Sequence, residues 1–248
     1  MISAYASRSG LTLAQQGVPE DTNEIGRMNE VLKLLTLREC VVTMDAAHCQ
    51  TENARQIVEP GGDYVFVVKE NPGTRHEHLR QTFEDSDYST AQPATHQTVQ
   101  KGHGRIERRR YTLIQHPDWL DYFNPGGKWF QLNRVLRVER ERQMADKTEH
   151  SVHDTISSLT TPVTHIARCI RSHWGIENRV HWLLDVVCQE DLSRVRVGFG
   201  AENLAVLRHI ALNLLKREQS VQGSIQRKRF LATMDHDYLL KVLHAGIP

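Results

Sequence analysis

Asp63-Tyr-Val-Phe-Val-Val-Lys69 is the clearest strand in the chain, an apolar run set off by Pro60-Gly61-Gly62. Cys40-Val-Val-Thr-Met-Asp45 is a second short apolar run, as expected of a buried strand, and it ends in a carboxylate. Between the two, Thr51 to Glu59 reads as a helix stopped by Pro60-Gly61-Gly62. After the second strand, Pro72-Gly73 starts another helix, roughly to Phe83. Strand, helix, strand, helix predicts an α/β fold with a mixed sheet flanked by helices.

Ahead of this pattern, Met1 to Ser7 and Leu11 to Val18 read as two strands turning at Ser9-Gly10. Thr22 or Asn23 can cap a helix that carries Ile25, Met28, Val31, Leu32 and Leu35. From about Tyr88 to Ser157 the helical spacing gives way to alternation and turn residues. Thr95 to Gln100, Arg105 to Ile114, Phe130 to Arg142 and Thr148 to Ile156 are strand candidates. After Thr161-Pro162 the chain is helical to its end. Residues 1–87 are therefore expected as the first part of the core. Residues 88–157 form a β-rich insertion, and residues 158–248 a helical part that completes the core.

The 248 residues can bury a sizeable core. The formal charge is +1, so a surface for nucleic acid must be local. Cys40, Cys49, Cys169 and Cys188 form no C-x-x-C pair, which argues against a zinc knuckle or disulfide scaffold and fits a reducing cytosol. No apolar run approaches a membrane span, so a cytoplasmic protein is expected.

Two carboxylates are placed for chemistry. Asp45 follows a strand, where open α/β sheets bind ligands, or else it simply caps the next turn. Glu177 lies in Arg171-Ser-His-Trp-Gly-Ile-Glu-Asn-Arg-Val-His-Trp-Leu-Leu-Asp185, whose Ile176, Val180, Leu183 and Val187 make one apolar helical stripe. His173, Glu177, His181 and Asp185 run along its rim. A rim carboxylate between two Trp and two His is expected to be half-buried, in a poorly hydrated pocket. The plainer alternative is a solvated helix edge.

The densest basic run is Lys101-Gly-His-Gly-Arg-Ile-Glu-Arg-Arg-Arg110, a solvated hairpin or a place where DNA phosphates approach. Arg227, Lys228 and Arg229 make a second basic segment. Trp119 and Trp129 are core residues or stacking platforms for an unpaired base.

The segment Trp174-Gly-Ile-Glu-Asn-x-x-His-Trp-x-Leu-Asp-Val186, with Glu190-Asp191 and Ser193-Arg194 after it, resembles the part of DDE transposases that bears their last acidic residue. The similar branch includes the H-repeat-associated proteins of insertion sequences. Further matches run in that family's order. They are Asn23-Glu24-Ile25, Val42 to Ala46, Gly61 to Tyr64, Lys69 with Asn71 and Gly73-Thr74, His103 to Glu107, and Glu202 to Arg208.

The resemblance implies a ribonuclease-H-like core. It also implies two-metal hydrolysis and strand transfer at insertion-sequence ends, with Mg²⁺ as cofactor and Mn²⁺ as its substitute. Asp45 matches the second acidic residue and Glu177 the third. Double-stranded DNA is the expected partner, with a homodimer formed on it. The candidate backbone contacts are Lys101, His103, Arg105, Arg108, Arg109, Arg110, His173, Arg227, Lys228 and Arg229.

The family's first Asp sits on a strand ahead of the one that opens this sequence, so a truncated chain that is inactive alone is expected. Leu184 stands where some relatives carry Lys, and His173 where they carry Arg. A DNA-binding remnant or regulator without catalysis is the alternative function. A transition-metal hydrolase using His173, Glu177 and His181 is a further alternative, though the spacing is not H-E-x-x-H.

Overall fold

The computed structural model describes residues 1–18, 24–68, 94–102, 104–114, 120 and 124–246. It divides into two compact units, Met1–Leu35 with Ser172–Pro248, and Thr36–Arg171. The first strands pack with the C-terminal helices, and the later strands extend the central sheet.

The second unit carries a mixed six-stranded sheet flanked by helices. Its strands are β3 (Val41–Met44), β4 (Asp63–Val68), β5 (Ala94–Gly102), β6 (Arg105–Ile114), β7 (Arg134–Gln143) and β8 (Thr148–Ser157). The order is β3-β4-β8-β7-β6-β5. Only β3 and β4 are parallel; the other neighbours are antiparallel. A parallel pair needs a crossover, and α2 (Thr51–Val58) supplies it, with Ala54, Ile57 and Val58 buried. Gly62 closes that crossover, since a side chain there would meet the Leu37 and Ile57 carbonyls at 2.7 and 2.8 Å.

The strands expected as an insertion are continuous with this sheet, because β8 pairs with β4 from Val65↔Ser157 to Val68↔Asp154. Two serines lock that junction. Ser158 Oγ accepts the Tyr64 N–H at 2.9 Å and donates to Asp63 Oδ1 at 2.7 Å. Ser157 Oγ donates to the Tyr64 carbonyl at 2.6 Å.

Helix α3 (Val163–His173) covers one face of the sheet. Its Val163, Ile166, Ala167 and Ile170 recur at helical spacing and pack on Val65, Tyr111, Leu113, Leu136 and Val138.

The first unit opens with the hairpin β1 (Ile2–Ala6) and β2 (Leu11–Gln16), turned at Gly10 with φ 76°. Helix α1 (Glu24–Lys33) buries Met28, Val31 and Leu32. The expected caps Thr22 and Asn23 lie outside the described residues, as do the helix from Pro72 and Trp119.

Downstream come α4 (Gly200–Arg217), α5 (Ile225–Met234) and α6 (His236–His244). Ser224 and Asp235 cap α5 and α6 through the N–H groups of Arg227 and Tyr238. The Asn213 side chain on α4 bonds both backbone groups of Thr12, at 3.0 and 2.7 Å, and so fixes the hairpin to that helix.

Candidate functional site

Asp45 follows β3 directly and is exposed. Its Oδ1 accepts the backbone N–H of His48 at 3.3 Å, so it caps the short helix Ala46–His48. The capping alternative is thus realised, and the second carboxylate oxygen still has lone pairs to offer. Beside it, burial pushes the Cys49 thiol up to about 12, with the Asp45 charge adding to the effect. That cysteine stays protonated and inert.

Glu177 belongs to the other unit. The α-helical winding of α3 ends at His173, and Glu177–His181 and Leu183–Val187 are π-wound. The Glu177 carbonyl takes the Trp182 N–H, and the Leu183 carbonyl takes the Cys188 N–H at 3.0 Å, each five residues on. Such wide turns are rare and concentrate at functional sites.

Val180, Leu184 and Val187 are buried, with Ile176 and Leu183 packed beside Val180 and Leu184. The expected half-buried rim is corrected. The Glu177 side chain is 59% exposed, and Trp174 and Trp182 are 47% and 52% exposed. The tryptophans turn to water instead of folding over the carboxylate. The His173 ring meets Trp174 edge-on at 5.3 Å, and His181 Nδ1 lies 3.3 Å from Glu177 Oε2. Among the described residues no group of three His, Cys, Asp or Glu side chains is arranged to hold a metal, which leaves the His173, Glu177 and His181 ligand set without support.

The same unit holds a feature with no sequence signal. Lys216 Nζ donates to the Gly10 carbonyl at 2.7 Å and to the Arg179 carbonyl at 2.8 Å, and lies 5.6 Å from the Tyr5 ring centre. Burial, with the Arg179 charge, lowers its pKa to about 8. It ties the hairpin turn to the π-wound segment two residues past Glu177.

The basic candidates separate sharply. Lys101, Arg105, Arg108 and Arg110 are exposed, and Arg108 pairs with Glu141 at 2.6 Å. Arg109 is largely buried against Glu107 at 2.6 Å. Strand alternation sends it to the opposite face from its two neighbours. His103 lies outside the described residues.

In α5 the expected cluster is corrected. Successive residues turn by about 100°, so Arg227 faces water while Lys228 is buried. Lys228 Nζ donates to the Leu215 carbonyl at 3.1 Å and to the Glu218 carbonyl, and lies 3.6 Å from the Glu218 carboxylate. The Arg229 guanidinium donates to the Val187 carbonyl at the end of the π-wound segment.

Residues 1–214 match the family described as "Transposase DDE domain". The chain belongs to the DDE transposase family. It is 32% identical over 247 residues to "H repeat-associated putative transposase YhhI" of Escherichia coli K12, covering 98% of this chain and 65% of that protein. "Putative protein YbfL" of the same strain gives the same figures. "Putative transposase YncI" of Escherichia coli O157:H7 is 32% identical over 249 residues, with 98% and 63% covered. This DDE transposase chain thus spans just under two thirds of the length of these relatives. Asp45 and Glu177 both fall within the matched region. No helix among the described residues is long and apolar enough to cross a membrane.

Proposed function

We propose that this chain is the larger part of the catalytic core of a DNA transposase, of ribonuclease-H-like fold, that cuts and rejoins phosphodiesters at insertion-sequence ends. One observation carries the reading: a family match spanning both acidic positions, with Asp45 at a strand end and Glu177 at the head of a π-wound segment. Asp45 and Glu177 are the metal-holding carboxylates. Both are exposed hard-oxygen donors, the kind that Mg²⁺ or Mn²⁺ prefers. Asp45 and Glu177 would hold divalent ions, which would supply activation of the attacking oxygen and stabilisation of the leaving one. The protein's own residues hold the ions and grip the DNA backbone through exposed Lys101, Arg105, Arg108, Arg110 and Arg227. Transposition is carried out by a homodimer assembled on the DNA.

A lone pair of carboxylates does not hold two cations together against their repulsion. These 248 residues alone therefore bind duplex DNA without joining strands. The test is a nicking and strand-joining assay in Mg²⁺ and Mn²⁺, run beside a salt series of duplex binding. Salt-dependent binding without joining is expected. Metal-dependent joining that an Asp45→Ala, Glu177→Ala variant abolishes would show that another carboxylate completes the set. Absence of duplex binding at low salt would remove the transposase reading, and stabilisation by Zn²⁺ but not Mg²⁺ would favour a transition-metal enzyme.

A further inference from the structure

The distal end of the helix-covered sheet face carries more positive charge than the fold explains. Arg109 on β6 and Arg140 on β7 are directly opposite each other in the antiparallel register. Like charges so placed destabilise a sheet. Glu107 is opposite Arg142, and Gln100 is opposite Glu107. Alternation therefore puts Gln100, Glu107, Arg109, Arg140 and Arg142 on one face.

Helix α3 covers the apolar half of this face and delivers Arg171 to its polar half, where the guanidinium donates to Gln100 Oε1 at 3.2 Å. Arg109 donates to the same oxygen at 3.3 Å. The Glu107 carboxylate, itself buried, pairs with Arg109 and Arg140. Glu149 is shared between Arg142 at 3.7 Å and Lys147 at 2.6 Å. Among the described residues, five cationic groups thus meet two carboxylates. Arg142 Nε is buried with no hydrogen-bond partner among the described residues.

We infer that this arginine face, with Arg140, Arg142 and Arg171 at its open side, binds the sugar-phosphate backbone of duplex DNA. The inference rests on the transposase reading and names a surface it lacks. Glu107 anchors Arg109 and one edge of Arg140, while Arg140, Arg142 and Arg171 have further N–H donors for phosphate oxygens. Burial lowers the Arg109 pKa and the Arg171 and Arg140 charges lower it further, with Glu107 and Tyr111 opposing. A phosphate on this face relieves that repulsion. A plain ionic network would need no cations beyond those its carboxylates pair.

Fluorescence anisotropy with a labelled duplex, between about 50 and 200 mM salt, tests the surface. Arg142→Gln with Arg171→Gln should flatten the slope of log K against log salt by roughly two, at about 0.9 per phosphate. Arg171→Gln alone, at an exposed position that leaves the Glu107 network intact, should flatten it by roughly one. Lys33→Gln with Lys241→Gln removes equal charge elsewhere and should leave the slope unchanged. Thermal unfolding establishes that each variant is folded. An unaltered slope in the Arg171 variant, or one that falls only in Arg108→Gln with Arg110→Gln, overturns this surface and leaves the transposase reading intact. A wild-type chain that fails to bind at low salt removes both.

Discussion

The Asp45 carboxylate accepts the backbone N–H of His48 at 3.3 Å, so the side chain that ends β3 also holds the turn behind it. One oxygen serves the fold and the other remains for a ligand. Asn caps as well as Asp, whereas Ala does not. Asp45→Asn should change unfolding free energy by less than about 0.5 kcal/mol, and Asp45→Ala should cost about 1 kcal/mol. Both should abolish Mg²⁺-dependent stabilisation in a thermal scan. Stabilisation that survives Asp45→Asn would take Asp45 out of the metal site.

Glu177 is predicted to matter for chemistry and little for folding. Its pairing with His181 is solvent-exposed, and such pairs contribute at most about 0.5 kcal/mol. Glu177→Gln should leave the urea midpoint nearly unchanged while removing the response to Mg²⁺. A loss on the order of 2 kcal/mol would instead mark Glu177 as a structural residue.

Lys228 is predicted to be structural. Lys228→Met leaves the buried Glu218 carboxylate without its cation, which should cost on the order of 3 kcal/mol in urea unfolding. The salt slope of DNA binding should stay as it was. A flatter slope in a folded Lys228 variant would return Lys228 to the DNA-binding set.

The same pair should shape the acid limb of stability. Burial alone would raise the Glu218 pKa, but hydrogen bonds from Ser220 and Tyr238 and the Lys228 charge outweigh it and hold it at about 2. The folded value lies below the ordinary 4.5, so the ionised form is the stabilised one. Its contribution is complete above pH 4.5 and is lost as the pH falls toward about 2. Glu218→Gln should remove that acid dependence in a pH series of thermal midpoints; an unchanged limb would contradict the assignment.

Lys216 should give a signature of the same sign on the alkaline side. Its folded pKa of about 8 lies below the ordinary 10.5, because its charged form is desolvated. Between those values the unfolded chain binds the extra proton, so stability should rise with pH across that window. Lys216→Met should abolish the rise. Pulsed amine labelling should find Lys216 titrating near pH 8; labelling like an ordinary lysine would refute it.

Ser158 bridges β4 and β8 through Tyr64 and Asp63. Ser158→Ala leaves a buried N–H without an acceptor and should cost about 1–3 kcal/mol, read from the thermal midpoint. A midpoint within experimental scatter of wild type would show that the junction is held by packing alone.

Much of this architecture is legible in local pattern. The apolar runs at 40–45 and 63–69, the Gly61-Gly62 stop and the alternation from 94 onward locate the elements, because a strand or helix needs its apolar period before it needs a partner. The ordered motifs around Asp45 and Glu177 place the chain in its family. Which strands pair is not local information. The sequence alone reads residues 88–157 as an insertion, and only the backbone pairing of β4 with β8 makes them one sheet with the core.

Charge is where tertiary structure decides most. Arg227, Lys228 and Arg229 are alike in sequence, yet helical rotation buries the middle one against Glu218. Arg108, Arg109 and Arg110 are alike too, yet the strand pleat sends the middle one to the Glu107 side. Arg140, Arg142 and Arg171 carry no signal as a group until strand register and helix docking bring them to one face. A charged side chain's role depends on the dielectric and the partners around it, and residues distant in sequence supply both.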